Sequence, residues 1–153
     1  MSVAYIALGS NLGERKENIE RALNLLKAAQ VKILAKSSLY ETKPYGVTDQ
    51  PEFLNSVIKV RWAGNPQGLL AALLSVENTM GRKRLRHWGE RNIDLDLLFF
   101  ANRIIATPTL TVPHPDLQNR VFVLEPLCEI AGDFIHPVLG KTMKTLLKEL
   151  RAR

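Results

Sequence analysis

Cysteine is nearly absent. Cys128 stands alone in 153 residues, so no disulfide can close within the chain, and a reducing cytoplasm is the expected setting. No apolar run approaches the ~20 residues that a membrane span needs. The opening Met1-Ser2-Val3-Ala4-Tyr5 has no basic region and its apolar run stops at Gly9, so no signal peptide is expected. Neither an internal repeat nor a low-complexity tract occurs, which excludes collagen-like and wholly disordered classes. The Gly-x-x-x-x-Gly-Lys-Ser/Thr loop of P-loop enzymes is also missing. Gly9-Ser10-Asn11-Leu12-Gly13 is no dinucleotide fingerprint either, and reads as a turn. What remains is an ordinary globular composition, 46% hydrophobic and 24% charged. Its length suits one domain over residues 1–153, because halves of that size would each bury little core.

Charge is concentrated rather than spread. The chain carries 21 basic and 15 acidic residues, a formal +6. The segment 82–91, Arg-Lys-Arg-Leu-Arg-His-Trp-Gly-Glu-Arg, holds five of those basic residues and one acid, leaving +2 for everything else. Such a cluster suits a small anionic partner, or one that touches a single edge. An RNA-binding domain would show a basic stripe and the Lys/Arg-Gly-aromatic platform motif, and the chain has neither.

Patterning predicts mixed helices and strands. Residues 3–8 read as a buried strand and 18–29 as a helix with Ile19, Ala22, Leu23 and Leu26 inward. Extended segments follow over 31–41 and 53–62, separated by a loop with Pro44, Gly46 and Pro51. Asn65-Pro66 begins a helix, since Asn caps free N–H groups and Pro tolerates the first turn, and Gly81 ends it. A strand over 93–100, an extended piece over 104–112 and helices over 119–131 and 141–151 complete the chain, with Pro126 a candidate kink. Strict βα alternation is lacking, which favours an α+β fold over a doubly wound sheet.

The sharpest local feature is Asn92-Ile93-Asp94-Leu95-Asp96-Leu97-Leu98-Phe99-Phe100. In a strand, Asp94 and Asp96 share one face, with Ile93, Leu95, Leu97 and Phe99 on the other. Two carboxylates ~7 Å apart repel, so a cation between them, whether Arg, Lys or a metal, is expected. Mg²⁺ suits carboxylates that leave coordination positions for water and phosphate oxygens. The basic segment ends three residues before Asp94, and carboxylates beside arginines match the needs of a magnesium polyphosphate. A metal-dependent phosphohydrolase would use the same pair.

Other residues speak less clearly alone. Trp88 among cations suggests stacking or a lid, or a ring tucked against the body. His114 sits on a stiff Pro-flanked turn. Arg120 at a helix start opposes the macrodipole, as if held for an anion. Phe122 reads as core, Glu77 as a solvated helix residue, and Cys128 as a buried residue without a basic partner to activate it.

Taken in order, several segments resemble the 6-hydroxymethyl-7,8-dihydropterin pyrophosphokinases of folate biosynthesis. They are Ala7-Leu8-Gly9-Ser10-Asn11-Leu12-Gly13, Ser38 to Gly46, Gln50 to Asn55, Glu77 with Gly81-Arg82-Lys83-Arg84, Trp88 to Asp96, and Leu110 to Pro115 continuing to Phe122. The resemblance runs from residue 2 to about 150. It implies a ferredoxin-like antiparallel sheet with helices packed on it and additional elements. It also implies a monomer that moves the β,γ-diphosphate of ATP to the pterin hydroxymethyl oxygen, without nucleic-acid or membrane partners.

Carried over by resemblance, Asp94 and Asp96 would anchor two Mg²⁺ ions. Asn55 would hydrogen-bond the pterin edge and Phe122 would stack on its ring. Thr42, Pro44, Tyr45, Phe53, Trp88 and Asp94 would complete that pocket. Glu77, Arg84, His87, Trp88, Arg91, Leu97, Thr111, His114 and Arg120 would line the ATP site. Arg82 and Arg91, with Asp94 and Asp96, would serve catalysis, the arginines on a closing loop over 82–91. The chain departs from the family pattern at Lys43, Leu74, Thr109 and His87, which puts secondary ATP contacts in question.

Overall fold

The computed structural model describes residues 1–43, 52–81 and 92–153. Strand β1 (Ser2–Ser10) leads into helix α1 (Arg15–Ala28), then β2 (Lys32–Lys36), β3 (Tyr40–Thr42) and β4 (Phe53–Trp62). Helix α2 (Pro66–Thr79) precedes β5 (Asp94–Phe100), and β6 (Ile105–Ala106) with β7 (Thr111–Val112) forms a small ribbon. A 3₁₀ turn at Leu117–Asn119 introduces α3 (Val121–Ala131), and α4 (Met143–Arg151) ends the chain.

The main sheet runs β2-β4-β1-β5, with β3 also paired to β4, and every pairing is antiparallel. With α1 and α2 as crossovers this is the β-α-β-β-α-β arrangement of ferredoxin-like folds. Helices cover both faces. Ala4, Ile6 and Leu8 of β1 pack with Ile19, Leu26, Leu69 and Leu73 beneath α1 and α2. Tyr5 of the same strand points the other way, with Val57, into a second cluster built by Leu124 and Leu127 of α3 and Leu146 and Leu147 of α4. The two-residue period of β1 therefore feeds two cores.

Local chemistry explains the element ends. Asn65 caps α2 by accepting the Gly68 N–H at 2.7 Å, with Pro66 in the first turn. Gly81 closes that helix at φ +66°, a conformation that costs a glycine little. Thr142 caps α4 by accepting the Thr145 N–H at 3.1 Å. Pro126 sits inside α3 without breaking it.

Several sequence expectations are revised. The extended stretch over 31–41 is two strands, because the Ser37 hydroxyl accepts the Val57 N–H at 2.9 Å and interrupts the ladder. The piece over 104–112 is likewise two short strands. Gly9 and Ser10 belong to β1, so the turn begins only at Asn11. It is pinned by the Asn18 amide, which donates to the Leu12 carbonyl at 2.9 Å and the Ser10 hydroxyl at 3.2 Å.

The largest revision is in β5. Its pairing with β1 matches Ile6 to Leu97 but Tyr5 to Phe99, so Leu98 is an extra residue in a bulge. Leu98 and Phe99 both join the α3–α4 core, while Leu97 and Phe100 join the other. Phe99 thus lies on the face of the two aspartates, not opposite them. There it is fully buried, edge-on to Tyr5 at 6.3 Å and 4.8 Å from the Phe134 ring centroid.

Candidate active site

Two rows of residues cross the sheet on the α3 side. In one, β1 places Gly9 between Asn55 of β4 and Asp94 of β5. In the next, Ala7 lies between Val57 and Asp96. Small residues on the central strand thus form a floor between an amide wall and a carboxylate wall. Two strand spacings set those walls about 10 Å apart. A methyl group on Gly9 would stand 3.2 Å from the Asn55 Oδ1 and 3.6 Å from the Phe53 ring. Glycine is what keeps this floor open.

The resulting cleft opens to solvent at its mouth. Thr42, Phe53, Asn55, Asp94, Asp96, Arg120 and Phe122, all expected at the site, line it together with Ala7, Gly9, Lys43 and Val123. Phe122 and Val123 come from the first turn of α3. The Arg120 guanidinium lies 5.7 Å from the Phe122 ring centroid, and its Nε donates to Asp116 at 3.1 Å. The Asn119 amide, then the Arg120 guanidinium, hold Asp116 below its ordinary carboxylate range.

Asn55 is oriented from behind. Its Nδ2 donates to the Thr42 hydroxyl at 2.6 Å and, longer, to the Tyr40 carbonyl at 3.5 Å. Asp94 and Asp96 are half-buried on one face of β5, as the alternation predicts. Among the described residues no third His, Cys, Asp or Glu joins them in a metal cluster. Two carboxylates over a floor of Gly9 and Ala7 fit a cation that keeps most positions for water and substrate oxygens, as Mg²⁺ does.

Glu77, Leu97, Thr111 and His114 do not line this cleft. Glu77 is buried rather than solvated, and its Oε2 accepts the Leu95 N–H at 2.8 Å. The side chain of Leu97 is buried in the α1–α2 core. Thr111 is exposed on β7. The His114 N–H donates to the Leu98 carbonyl at 2.9 Å, which ties that turn to the bulge of β5. The His114 Nδ1 accepts the Asp116 N–H at 3.3 Å. The neutral ring therefore carries its proton on Nε2. Burial, and then the Arg120 guanidinium, push His114 below the usual imidazole range, against the pull of Asp116 and Asp94. Pro44, Tyr45, Arg82, Arg84, His87, Trp88 and Arg91 lie outside the described residues, as does the expected closing loop.

Sequence reasoning missed the supports of the cleft. Arg15 donates to Glu41 at 2.6 Å and to the Glu52 carbonyl at 2.9 Å, joining α1 to both sides of the 44–51 segment. Ser10 and Asn11 are buried beside Gly9. Both stand in the Ala7–Gly13 segment of the family resemblance, but no supporting role was read for them. Cys128 is half-buried rather than buried, and burial raises its thiol pKa, consistent with a residue that is not activated.

The α+β sheet thus carries a cleft with an amide on one wall and a carboxylate pair on the other. The profile of one family, 7,8-dihydro-6-hydroxymethylpterin-pyrophosphokinase, matches residues 5–132. The chain is 46% identical over 138 residues to the 2-amino-4-hydroxy-6-hydroxymethyldihydropteridine pyrophosphokinase of Haemophilus influenzae, covering 90% of this chain and 86% of that protein. Against the Bacillus subtilis protein of the same name it is 45% identical over 130 residues, covering 84% and 78%. The chain belongs to this pyrophosphokinase family. A crystal structure of Plasmodium falciparum HPPK-DHPS with pteroate superposes with a TM-score of 0.81 at 17% identity, over 99% of this chain and 43% of that one. This last likeness concerns the fold, and the chain spans less than half of that longer protein.

Proposed function

We propose that this chain transfers the β,γ-diphosphate of ATP to the hydroxymethyl oxygen of 6-hydroxymethyl-7,8-dihydropterin, releasing AMP, as a step of folate biosynthesis. The observation that carries this reading is the row Asn55–Gly9–Asp94, which sets an amide pocket and a carboxylate pair side by side on one floor. Family membership and the names of the relatives support the substrates.

The residues divide the work. Asn55, held by Thr42, offers its in-plane amide to the edge of a flat polar ring, and Phe122 offers an aromatic face, with Phe53 beside it. Asp94 and Asp96 would hold Mg²⁺, two ions by resemblance, which would neutralise phosphate oxygens and polarise the transferred group. Arg120 and the Nε2–H of His114 supply donors for anionic oxygens, and Thr111 and the main chain of Leu97 border the nucleotide. From the basic segment, Arg82, Arg84, His87, Trp88 and Arg91 are assigned to the phosphates and to sealing the site. Pro44 and Tyr45 are assigned to the pterin.

Chemically, the hydroxymethyl oxygen forms a bond to the β-phosphorus. The bond from that phosphorus to the α,β-bridging oxygen breaks, AMP takes the electron pair, and the hydroxyl proton is released. Positioning and charge stabilisation are the protein's main contributions. The single cysteine supports a cytoplasmic setting. Among the described residues no helix is long and apolar enough to cross a membrane. The packing of α3 and α4 against β1, β4 and β5 of the main sheet supports a single domain, and the family resemblance supports a monomer.

The test is ³¹P NMR of the purified protein with Mg²⁺, ATP and 6-hydroxymethyl-7,8-dihydropterin. AMP and a pterin diphosphate should appear together, and neither without the pterin. ADP or inorganic phosphate in their place would replace this reading with an ordinary kinase or a hydrolase.

A further inference from the structure

Glu129 lies on α3, is exposed, and lines no part of the cleft. Its carboxylate nevertheless gathers three donors from a stretch 91 and 89 residues earlier. Oε1 accepts the Tyr40 hydroxyl at 2.7 Å, and Oε2 accepts the Ser38 N–H at 3.0 Å and the Ser38 hydroxyl at 3.1 Å. The exchange is reflected in both partners. Tyr40 is pushed up to about 12, chiefly by its hydrogen bond to Glu129, and Glu129 is held below its ordinary range, chiefly by the same bond.

Tyr40 opens β3, a strand of only three residues that pairs with β4 alone. So short a strand makes few ladder bonds, and its position depends on what else grips it. Position matters here because β3 carries Thr42, whose hydroxyl accepts the Asn55 amide at 2.6 Å. On the other side, Glu129 and Phe122 are seven residues apart on α3, which is two helical turns and therefore one face. The carboxylate thus joins the helix that presents the aromatic ring to the strand that orients the amide. Arg15 also grips β3 through Glu41, but from α1, which carries neither pocket group.

We infer that Glu129 is a positioning residue for the heterocycle pocket: it clamps β3 to α3 and so fixes the Asn55 amide relative to the Phe122 ring. The inference rests on the proposed pterin role of Asn55. Glu129 touches no substrate in this scheme. Its loss separates two walls of one pocket and leaves the carboxylate pair on β5 where it was.

Steady-state kinetics of the full chain test it, with pterin and ATP varied separately. Glu129→Ala should raise the KM for the pterin roughly tenfold, while kcat and the KM for ATP stay within about twofold. Glu129→Gln keeps one acceptor oxygen and should recover part of that loss. Should Glu129→Ala fail to fold, Tyr40→Phe removes a single oxygen and should raise the pterin KM roughly threefold. A pterin KM unchanged in the folded Glu129 variants, with Asn55→Ala raising it, overturns the inference and spares the pocket assignment. Equal rises in both KM values also overturn it, because they mark general loosening. If Asn55→Ala itself leaves the pterin KM unchanged, the pocket assignment fails, and the inference falls with it.

Discussion

The Glu77 carboxylate accepts the backbone N–H of Leu95 at 2.8 Å, at the residue that separates Asp94 from Asp96. A buried acid on α2 therefore holds the strand that presents the carboxylate pair. Removing an acceptor from a buried donor costs about 1–3 kcal/mol. Glu77→Ala should lower stability to urea by that amount and raise the Mg²⁺ concentration needed for half-maximal rate. Glu77→Gln retains an acceptor oxygen and should lose less on both counts. Unchanged Mg²⁺ dependence in a folded Glu77→Ala protein would separate this hydrogen bond from the site.

Gly9→Ala opposes stability and affinity. Its Cβ would reach within 3.2 Å of the Asn55 Oδ1, so the amide must give by a few tenths of an ångström. In a strand, alanine also restricts the unfolded chain, a gain of about 0.4–1 kcal/mol that offsets the crowding. The urea midpoint should therefore fall only slightly, while the KM for the pterin increases roughly tenfold from overpacking of the pocket. Steady-state kinetics beside urea denaturation of the same protein preparation checks both signs.

Legibility in the sequence followed the range of the interaction. The α2 cap at Asn65 and its stop at Gly81 are local signals, and both stand as expected. Asp94 and Asp96 share a face because alternation needs no knowledge of neighbours. Phe99 escaped that rule because the bulge at Leu98 is set by the pairing with β1, not by β5 itself. Glu77 gave a solvated pattern on α2, since its partner is a backbone amide 18 residues away. Ser38 and Glu129 meet across 91 residues, and nothing near either one announces the other. Residues that line the cleft, such as Asn55 and Phe122, were thus named by motif, whereas the long-range hydrogen bonds around them were not.

The aspartate pair predicts separate outcomes for activity and folding. Asp94→Asn and Asp96→Asn should each reduce kcat by at least about a hundredfold, since charge on the transferring group loses its counter-ion. Neither should unfold the protein. Mg²⁺ with a non-hydrolysable ATP analogue should raise the midpoint of the parent chain by mass action, and the variants should lose that rise. A variant with near-normal turnover would remove its aspartate from the metal assignment.

His136 supplies a pH dependence away from the cleft. It is buried, its ring stands edge-on to Phe99 at 5.3 Å, and its Nδ1 accepts the N–H groups of Val138 and Leu139, both at 3.1 Å. A proton on Nδ1 would face those two donors. Burial accordingly lowers its pKa. The unfolded chain takes up its proton near the ordinary value of about 6.5, while the folded chain resists until its lower value is reached. Stability is therefore intact above about pH 6.5 and is lost as pH falls through the folded pKa. His136→Asn keeps an acceptor for the same N–H groups and removes the titration. Urea midpoints measured from about pH 8 to about pH 5 should fall more steeply for the parent chain than for the variant. His114 is depressed in the same direction but is present in both proteins, so the difference between the two curves isolates His136. Parallel curves would mean that the buried ring does not resist protonation.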